Sequence, residues 1–152
     1  MILIVAEDDK FCQRFIVEAL EKLCENIITV TALRDLWTKL GDTVDAIWLD
    51  LTLADCTAEQ MIEAIPEIRR QSPHATLLVV SGHGNMYRDQ ALSAGADEYA
   101  GKDELGGFNQ RIMGELLQQA ALGAMRRGVD AHTVLEVVAQ NLSRLSNLPA
   151  VA

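Results

Sequence analysis

Ala46-Ile47-Trp48-Leu49-Asp50 is an apolar run that ends on a carboxylate. A stretch apolar on successive residues suits a strand buried on both faces, as in a parallel sheet covered by helices. Asp50 then stands at the carboxyl end of that strand, where open α/β sheets build their sites. The N-terminus repeats the pattern, with Ile2-Leu3-Ile4-Val5-Ala6 running into Glu7-Asp8-Asp9. Two such strands can bring three or four acids to one sheet edge. Carboxylates packed that closely repel one another unless a hard cation sits among them. Mg²⁺ with several of its waters suits carboxylate oxygens.

Two further strand signals end in the same way. Thr76-Leu77-Leu78-Val79-Val80 stops at Ser81-Gly82, and Asp97-Glu98-Tyr99-Ala100-Gly101 stops at Lys102. Acids, one hydroxyl and one lysine each follow a strand. A carboxylate nucleophile beside a divalent metal, with a hydroxyl and a cation to hold oxygens, is a constellation for phosphoryl transfer.

Helix signals alternate with these strands. Phe11, Phe15, Ile16, Ala19, Leu20 and Leu23 fall on one helical face. Ile27–Val30 reads as a β-branched strand, and Leu33, Leu36, Trp37 and Leu40 as a short helix ending at Gly41. Met61, Ile62, Ile65 and Ile68 mark a third helix. Pro66 inside it predicts a kink or a late start, and Ser72-Pro73 its end. Gly82-His83-Gly84-Asn85 reads as a loop, followed by a helix with Met86, Ala91, Leu92 and Ala94 that stops before Gly95. Phe108, Ile112, Leu116, Leu117, Ala120 and Ala124 give a fifth helix. A five-fold βα alternation implies a doubly wound, five-stranded parallel sheet.

The chain resembles response-regulator receiver domains of bacterial two-component signalling, of which the chemotaxis receivers are examples. The resemblance rests on Glu7-Asp8 after the first strand, Asp50 after the third and Ser81 after the fourth. Tyr99, with Lys102 three positions later, completes it. It covers about residues 1–122, with 123–152 as a C-terminal helical extension. It implies a flavodoxin-like sheet of order 2-1-3-4-5, in which strands 1 and 3 meet at the switch point. It also implies a function. Asp50 accepts a phosphoryl group from a histidine kinase or phosphotransfer protein, with Mg²⁺, and the domain catalyses its own phosphorylation and dephosphorylation. Signalling then passes to a downstream protein target through protein–protein contact. The metal ligands are Glu7, Asp8, Asp50 and the backbone carbonyl of Thr52. Asp9 could compete for the second place, but the pattern aligns without a gap through Arg14 and Leu20 when Glu7-Asp8 is used. Asp9 also suits a helix N-cap. Ser81 and Lys102 hold phosphoryl oxygens, and Lys102 pairs with Asp50 beforehand. Tyr99 is the switch aromatic, and Gly82 leaves room for its movement. His83 stands where the family tunes hydrolysis of the phosphoryl group.

The chain also departs from the pattern. Lys102 is followed by Asp103 instead of proline. The proline four residues after the acceptor is Ala54, and the glycine eight after it is Ala58. The shape of the loop after the third strand is therefore open.

Net charge is −9. Residues 1–123 carry 10 basic and 20 acidic side chains, and residues 124–152 carry three basic and two acidic ones. So acidic a body is a poor candidate for nucleic acid. No apolar run reaches the roughly 18 residues of a membrane span. The first apolar run lacks the flanks of a signal peptide. Cys12, Cys24 and Cys56 read as reduced thiols, so a cytoplasmic protein is expected.

The tail remains open. Ala131, Leu135, Val138, Leu142 and Leu145 are spaced 4, 3, 4, 3 after Gly128 and a candidate N-cap, Asp130. This seam fits an extra helix that folds back, a homodimer contact, or a linker. Two other functions compete with the receiver. One is a binding module that keeps the fold but signals without phosphate. The other is an aspartyl-phosphate hydrolase, whose second Asp would stand where Thr52 is found.

Overall fold

The computed structural model describes residues 2–21, 24, 26–105 and 110–126. Its elements are β1 (Ile2–Ala6), α1 (Lys10–Leu20), β2 (Asn26–Val30), α2 (Leu33–Trp37), β3 (Ala46–Asp50) and α3 (Ala58–Gln71). They continue through β4 (Thr76–Ser81), α4 (Arg88–Ala94), β5 (Glu98–Gly101), a 3-10 turn (Lys102–Leu105) and α5 (Gln110–Arg126). All pairings are parallel, in the expected order β2-β1-β3-β4-β5. Ala6 lies opposite Leu49, Asp50 opposite Val80, and Ser81 opposite Gly101. The carboxyl ends are therefore level, and the residues that follow them share one rim.

Strand residues alternate between two helix layers. Ile4, Ile47, Leu49, Leu77, Val79 and Tyr99 pack with Met61, Ile65 and Ile68 of α3 and Ala91 of α4. Leu3, Val5, Trp48, Leu78 and Val80 pack with Ile16 and Leu20 of α1 and Met113, Leu117 and Ala120 of α5. Asp50 has the strand parity of Trp48 and so belongs to the α1/α5 side. Among the described residues no helix is long and apolar enough to cross a membrane.

Three local expectations need correction. Phe11 and Phe15 share the predicted apolar face of α1, yet they are exposed and stack edge-to-face, with ring centroids 5.0 Å apart. Ile16, Ala19 and Leu20 supply the buried face instead. Pro66 does not delay α3, which starts eight residues earlier at Ala58 and continues to Gln71. A reciprocal capping box sets its start: Gln60 N–H donates to Thr57 Oγ1 at 3.3 Å, and Thr57 N–H donates to Gln60 Oε1 at 3.0 Å. Met86 lies outside α4 and is exposed; the helix begins at Arg88 and closes on Gly95 at φ +129. Only glycine takes that conformation without strain.

The loop after β3 has neither the proline nor the glycine of the family pattern, and other contacts shape it. Leu53 and Cys56 pair as a one-bridge hairpin, and Ala54 N–H donates to the Thr31 carbonyl. The Asp55 carboxylate reaches back to α2, which has no cap from its own Ala32. It accepts from Leu33 N–H at 2.7 Å and Arg34 N–H at 3.1 Å. What burial it has works against the charge, but these two donors hold the Asp55 carboxyl below its ordinary range. Asp55 is thus an N-cap supplied from another segment. Asp55→Ala is expected to cost about 1 kcal/mol. Urea unfolding gives that figure, and amide exchange should quicken locally at Leu33 and Arg34. Unchanged exchange there would assign α2 another anchor.

α5 runs through Arg126, past residue 123 where the extension is expected to begin. The tail seam at 131–145 lies outside the described residues.

Candidate functional site

The two central strands bring the acids together. One oxygen each of Glu7, Asp8 and Asp50 lies within 4.8 Å of the others. Glu7 and Asp50 are buried, whereas Asp8 is more open. Asp9 does not join them: its carboxylate caps α1, accepting from Phe11 N–H at 2.9 Å and Cys12 N–H at 3.0 Å. Its own N–H donates to Glu7 Oε1 at 3.2 Å. The second acid of the cluster is thus Asp8.

Lys102, at the start of the 3-10 turn, reaches into this cluster. Its Nζ donates to Asp50 Oδ2 at 2.9 Å and stands 2.8 Å from Glu7 Oε2. The sequence anticipated the pairing with Asp50 but missed the equal share given to Glu7. Burial, then the facing Asp50, push the Glu7 carboxyl up to about 7 against the pull of Lys102. Burial opposes the charge of Lys102 too, but the two carboxylates hold it above the ordinary lysine range. Three acids face one cation, so the cluster keeps an excess of negative charge.

The oxygens suit a hard divalent ion. Glu7 Oε2 is buried and makes no directed hydrogen bond, although Lys102 lies at ion-pair distance. Glu7, Asp8 and Asp50 offer only carboxylate oxygens, the donor set that Mg²⁺ prefers. Thr52, two residues past Asp50, folds back so that its N–H donates to Asp50 Oδ1 at 3.1 Å. The donor set therefore fits the metal that the sequence implies.

Ser81 ends β4, is fully buried, and accepts from His83 N–H at 3.0 Å. Beside it, a Cβ added at Gly82 would meet nothing within 4 Å, so that stretch of rim is open. Tyr99 points inward, and its hydroxyl donates to the Gly84 carbonyl at 2.5 Å. Gly84 makes that approach at φ +59. Tyr99 is thus tied to the loop that carries Ser81, Gly82 and His83.

His83 is not a solitary loop histidine. Its Nε2 lies 3.2 Å from Thr52 Oγ1, so a side-chain contact spans the two loops that flank Asp50. Its ring meets Tyr87 edge-on, at 5.4 Å between centroids. The Tyr87 hydroxyl donates to Glu59 Oε1 of α3 at 2.6 Å and holds that carboxyl below its ordinary range. Sequence reasoning found no role for the Thr52 side chain, Tyr87 or Glu59. No local period marks them, because their contacts join separate segments. Burial, ahead of the nearby charges, raises the thiol pKa of Cys12 and so disfavours its thiolate.

No protein-family model matches the chain, and no match emerges among curated proteins. Solved structures do match. The BeF3-activated receiver domain of DrrB, a Thermotoga maritima response regulator, superposes with a TM-score of 0.64 at 22% identity, over 83% of this chain and 100% of that one. Of a longer DrrB structure the chain spans 49%. A Burkholderia pseudomallei response regulator with a phosphorylated aspartic acid, calcium ion and citrate superposes at 0.57 and 18% identity, over 99% of this chain and 98% of that one. A response-regulator receiver domain from Clostridium thermocellum gives 0.59 and 19% identity, over 79% and 96%. The chain has the receiver fold. Within that fold, Glu7, Asp8, Asp50, Ser81 and Lys102 stand on one rim, at the carboxyl ends of β1, β3, β4 and β5.

Proposed function

We propose that this protein is a phosphoaccepting receiver whose acceptor is Asp50. The observation that carries the reading is the position of Lys102, 2.9 Å from Asp50 and 2.8 Å from Glu7, over an all-carboxylate cluster. One Asp50 oxygen attacks the phosphorus of a phosphohistidine or small phosphoryl donor. The new O–P bond gives an acyl phosphate, while the bond from phosphorus to the donor breaks and its electron pair leaves with the donor. Glu7, Asp8, Asp50 and the Thr52 carbonyl would hold Mg²⁺, which would supply neutralisation of charge on the transferring oxygens. Lys102 moves its contact from Asp50 to a phosphoryl oxygen, and the Ser81 hydroxyl donates to another. In doing so Ser81 no longer faces only the His83 N–H, and the loop to which Tyr99 is bonded moves with it. Gly82 gives that loop room. Tyr99 thereby reports phosphorylation to a protein-binding face, and the domain acts as a signalling protein, not as a turnover enzyme. His83, held by Thr52, stands where it can order or exclude the water that removes the phosphoryl group.

Acetyl phosphate or phosphoramidate with Mg²⁺ tests this. Intact-protein mass spectrometry is expected to show one added phosphoryl group in wild type and none in Asp50→Ala. Equal labelling of Asp50→Ala refutes the acceptor. An unlabelled wild type favours a binding module that signals without phosphate. Many turnovers on a phosphomonoester revive the hydrolase, despite Thr52 in place of its second Asp.

A further inference from the structure

The segments that follow β3 and β4 are clasped at two points. Thr52 Oγ1 and His83 Nε2 lie 3.2 Å apart, and the Tyr87 hydroxyl donates to Glu59 Oε1 at 2.6 Å. His83 and Tyr87 join the two clasps, because their rings meet edge-on at 86°. Each end is anchored from behind. Glu59 stands between Thr57 and Gln60, whose reciprocal bonds fix the first turn of α3. Tyr87 is 9% exposed and packs in the core layer of α3 and α4. The Glu59 carboxylate holds the Tyr87 phenol above its ordinary range, so this donor keeps its proton. On the site's side, Thr52 N–H donates to Asp50 Oδ1 at 3.1 Å and His83 N–H to Ser81 Oγ at 3.0 Å. The His83 ring therefore reaches from the Ser81 loop to the Asp50 loop at the mouth of the site. Asp50 itself, at the sheet rim, is only 4% exposed.

The contact between Thr52 and His83 does not hold that ring by itself. Both residues are exposed, water competes for their bond, and exposed side chains change rotamer within nanoseconds. The buried ring of Tyr87 supplies the fixed backstop. We propose that Tyr87, fixed by Glu59, is a positioning residue that keeps His83 over the mouth of the Asp50 site and slows loss of the phosphoryl group to water. The inference rests on Asp50 as the phosphoacceptor, and it adds two residues to which the receiver resemblance gives no role. In that loss a water oxygen bonds to phosphorus. The Asp50 O–P bond breaks, its electron pair returns to the carboxylate, and both protons of the water leave with the phosphate. The attacking and leaving oxygens lie roughly in line, so the water comes from the side away from Asp50, through the mouth. The His83 ring stands on that approach. While its Nε2 faces Thr52 it does not face the attacking water, so the ring excludes the water and does not activate it.

Decay of the acyl phosphate on the full chain decides it, followed by intact-protein mass spectrometry in Mg²⁺ after the small donor is removed. Tyr87→Phe keeps the ring but loses the hydroxyl, and Glu59→Ala removes the acceptor. Each is expected to speed decay about fivefold, the factor that one net hydrogen bond is worth. The double variant is expected to decay no faster than either alone, since both changes cut one link. Glu59→Gln keeps an acceptor oxygen and is expected to restore the wild-type rate. In a His83→Ala background Tyr87→Phe is expected to change nothing, a result that general loosening of the fold does not produce. The placing of the ring is checked separately, in metal-free protein without phosphate, by the nuclear Overhauser effect between the Thr52 methyl and the His83 ring. It is expected in wild type and Glu59→Gln, and weakened in Tyr87→Phe and Glu59→Ala. Unchanged decay in Tyr87→Phe overturns the proposal, as does slower decay, which would make His83 an aid to the water. Equal acceleration with His83 absent overturns it too. A wild type that takes no phosphoryl group overturns the acceptor reading instead, and a ring contact unmoved by Tyr87→Phe overturns the placing whatever the labelling.

Discussion

Lys102→Met is expected to destabilise the metal-free protein by roughly 3 kcal/mol, and millimolar Mg²⁺ is expected to restore a large part of the loss. Lys102 is the one cation set against Glu7 and Asp50 among the described residues. Removing one member of a buried ion pair leaves an uncompensated charge, and that costs more than the pair itself contributes. Here two carboxylates lose their partner together. Urea unfolding in EDTA and in magnesium gives the comparison. The pH dependence has a definite sign. Glu7 is raised from 4.5 to about 7 in the fold, so its penalty is absent below 4.5 and complete above about 7. Wild-type stability in EDTA should fall across that interval. Without the pull of Lys102 the Glu7 pKa moves higher still, so the decline should steepen and extend to higher pH. Labelling of Asp50 by phosphoramidate should also slow by about 100-fold, as when a fixed donor to developing charge is removed. A Lys102→Met protein as stable as wild type in EDTA at pH 8 would show that the cluster does not depend on this lysine.

The parts of this site that were legible in the sequence are those that strand chemistry writes locally. A buried parallel strand must be apolar, so Glu7 and Asp50 stood out as the residues where each run breaks. The alternation of strands and helices implied a parallel sheet, and the resemblance to receiver domains put β1 beside β3. Contacts across segments leave no such trace. Asp55 caps α2 from 21 residues away, and Tyr87 reaches Glu59 from 28 away. Neither has a period or a neighbour that announces it. Phe11 and Phe15 show the reverse failure. Their spacing is right for a core face, yet they sit one side of it, because period alone does not say which edge of an apolar arc turns outward. Pro66 misled for a related reason: a capping box at Thr57 and Gln60 fixed the helix before the proline was reached.

Glu7→Gln with Asp8→Asn is expected to weaken Mg²⁺ binding by more than about 100-fold, since it removes two of three carboxylate ligands. Trp48 is the reporter. It is fully buried, shares a strand face with Asp50, and its Nε1 has no hydrogen-bond partner. A change of charge two residues away should alter its emission in a saturable way. Trp37 adds background, so the titration belongs in a Trp37→Phe variant. If the double variant keeps the wild-type response, the ion binds elsewhere. The metal-free stabilities separate the two acids. Asp8 has no ion-pair partner among the described residues, so Asp8→Asn relieves repulsion and should stabilise, by up to about 1 kcal/mol. Glu7 also holds Lys102 at 2.8 Å, so Glu7→Gln removes a repulsion and an attraction together. Burial and the facing Asp50 outweigh that attraction, as the raised Glu7 carboxyl shows, so above about pH 7 its gain should exceed that of Asp8→Asn. The opposite order would mean that the pairing with Lys102 outweighs the desolvation of Glu7.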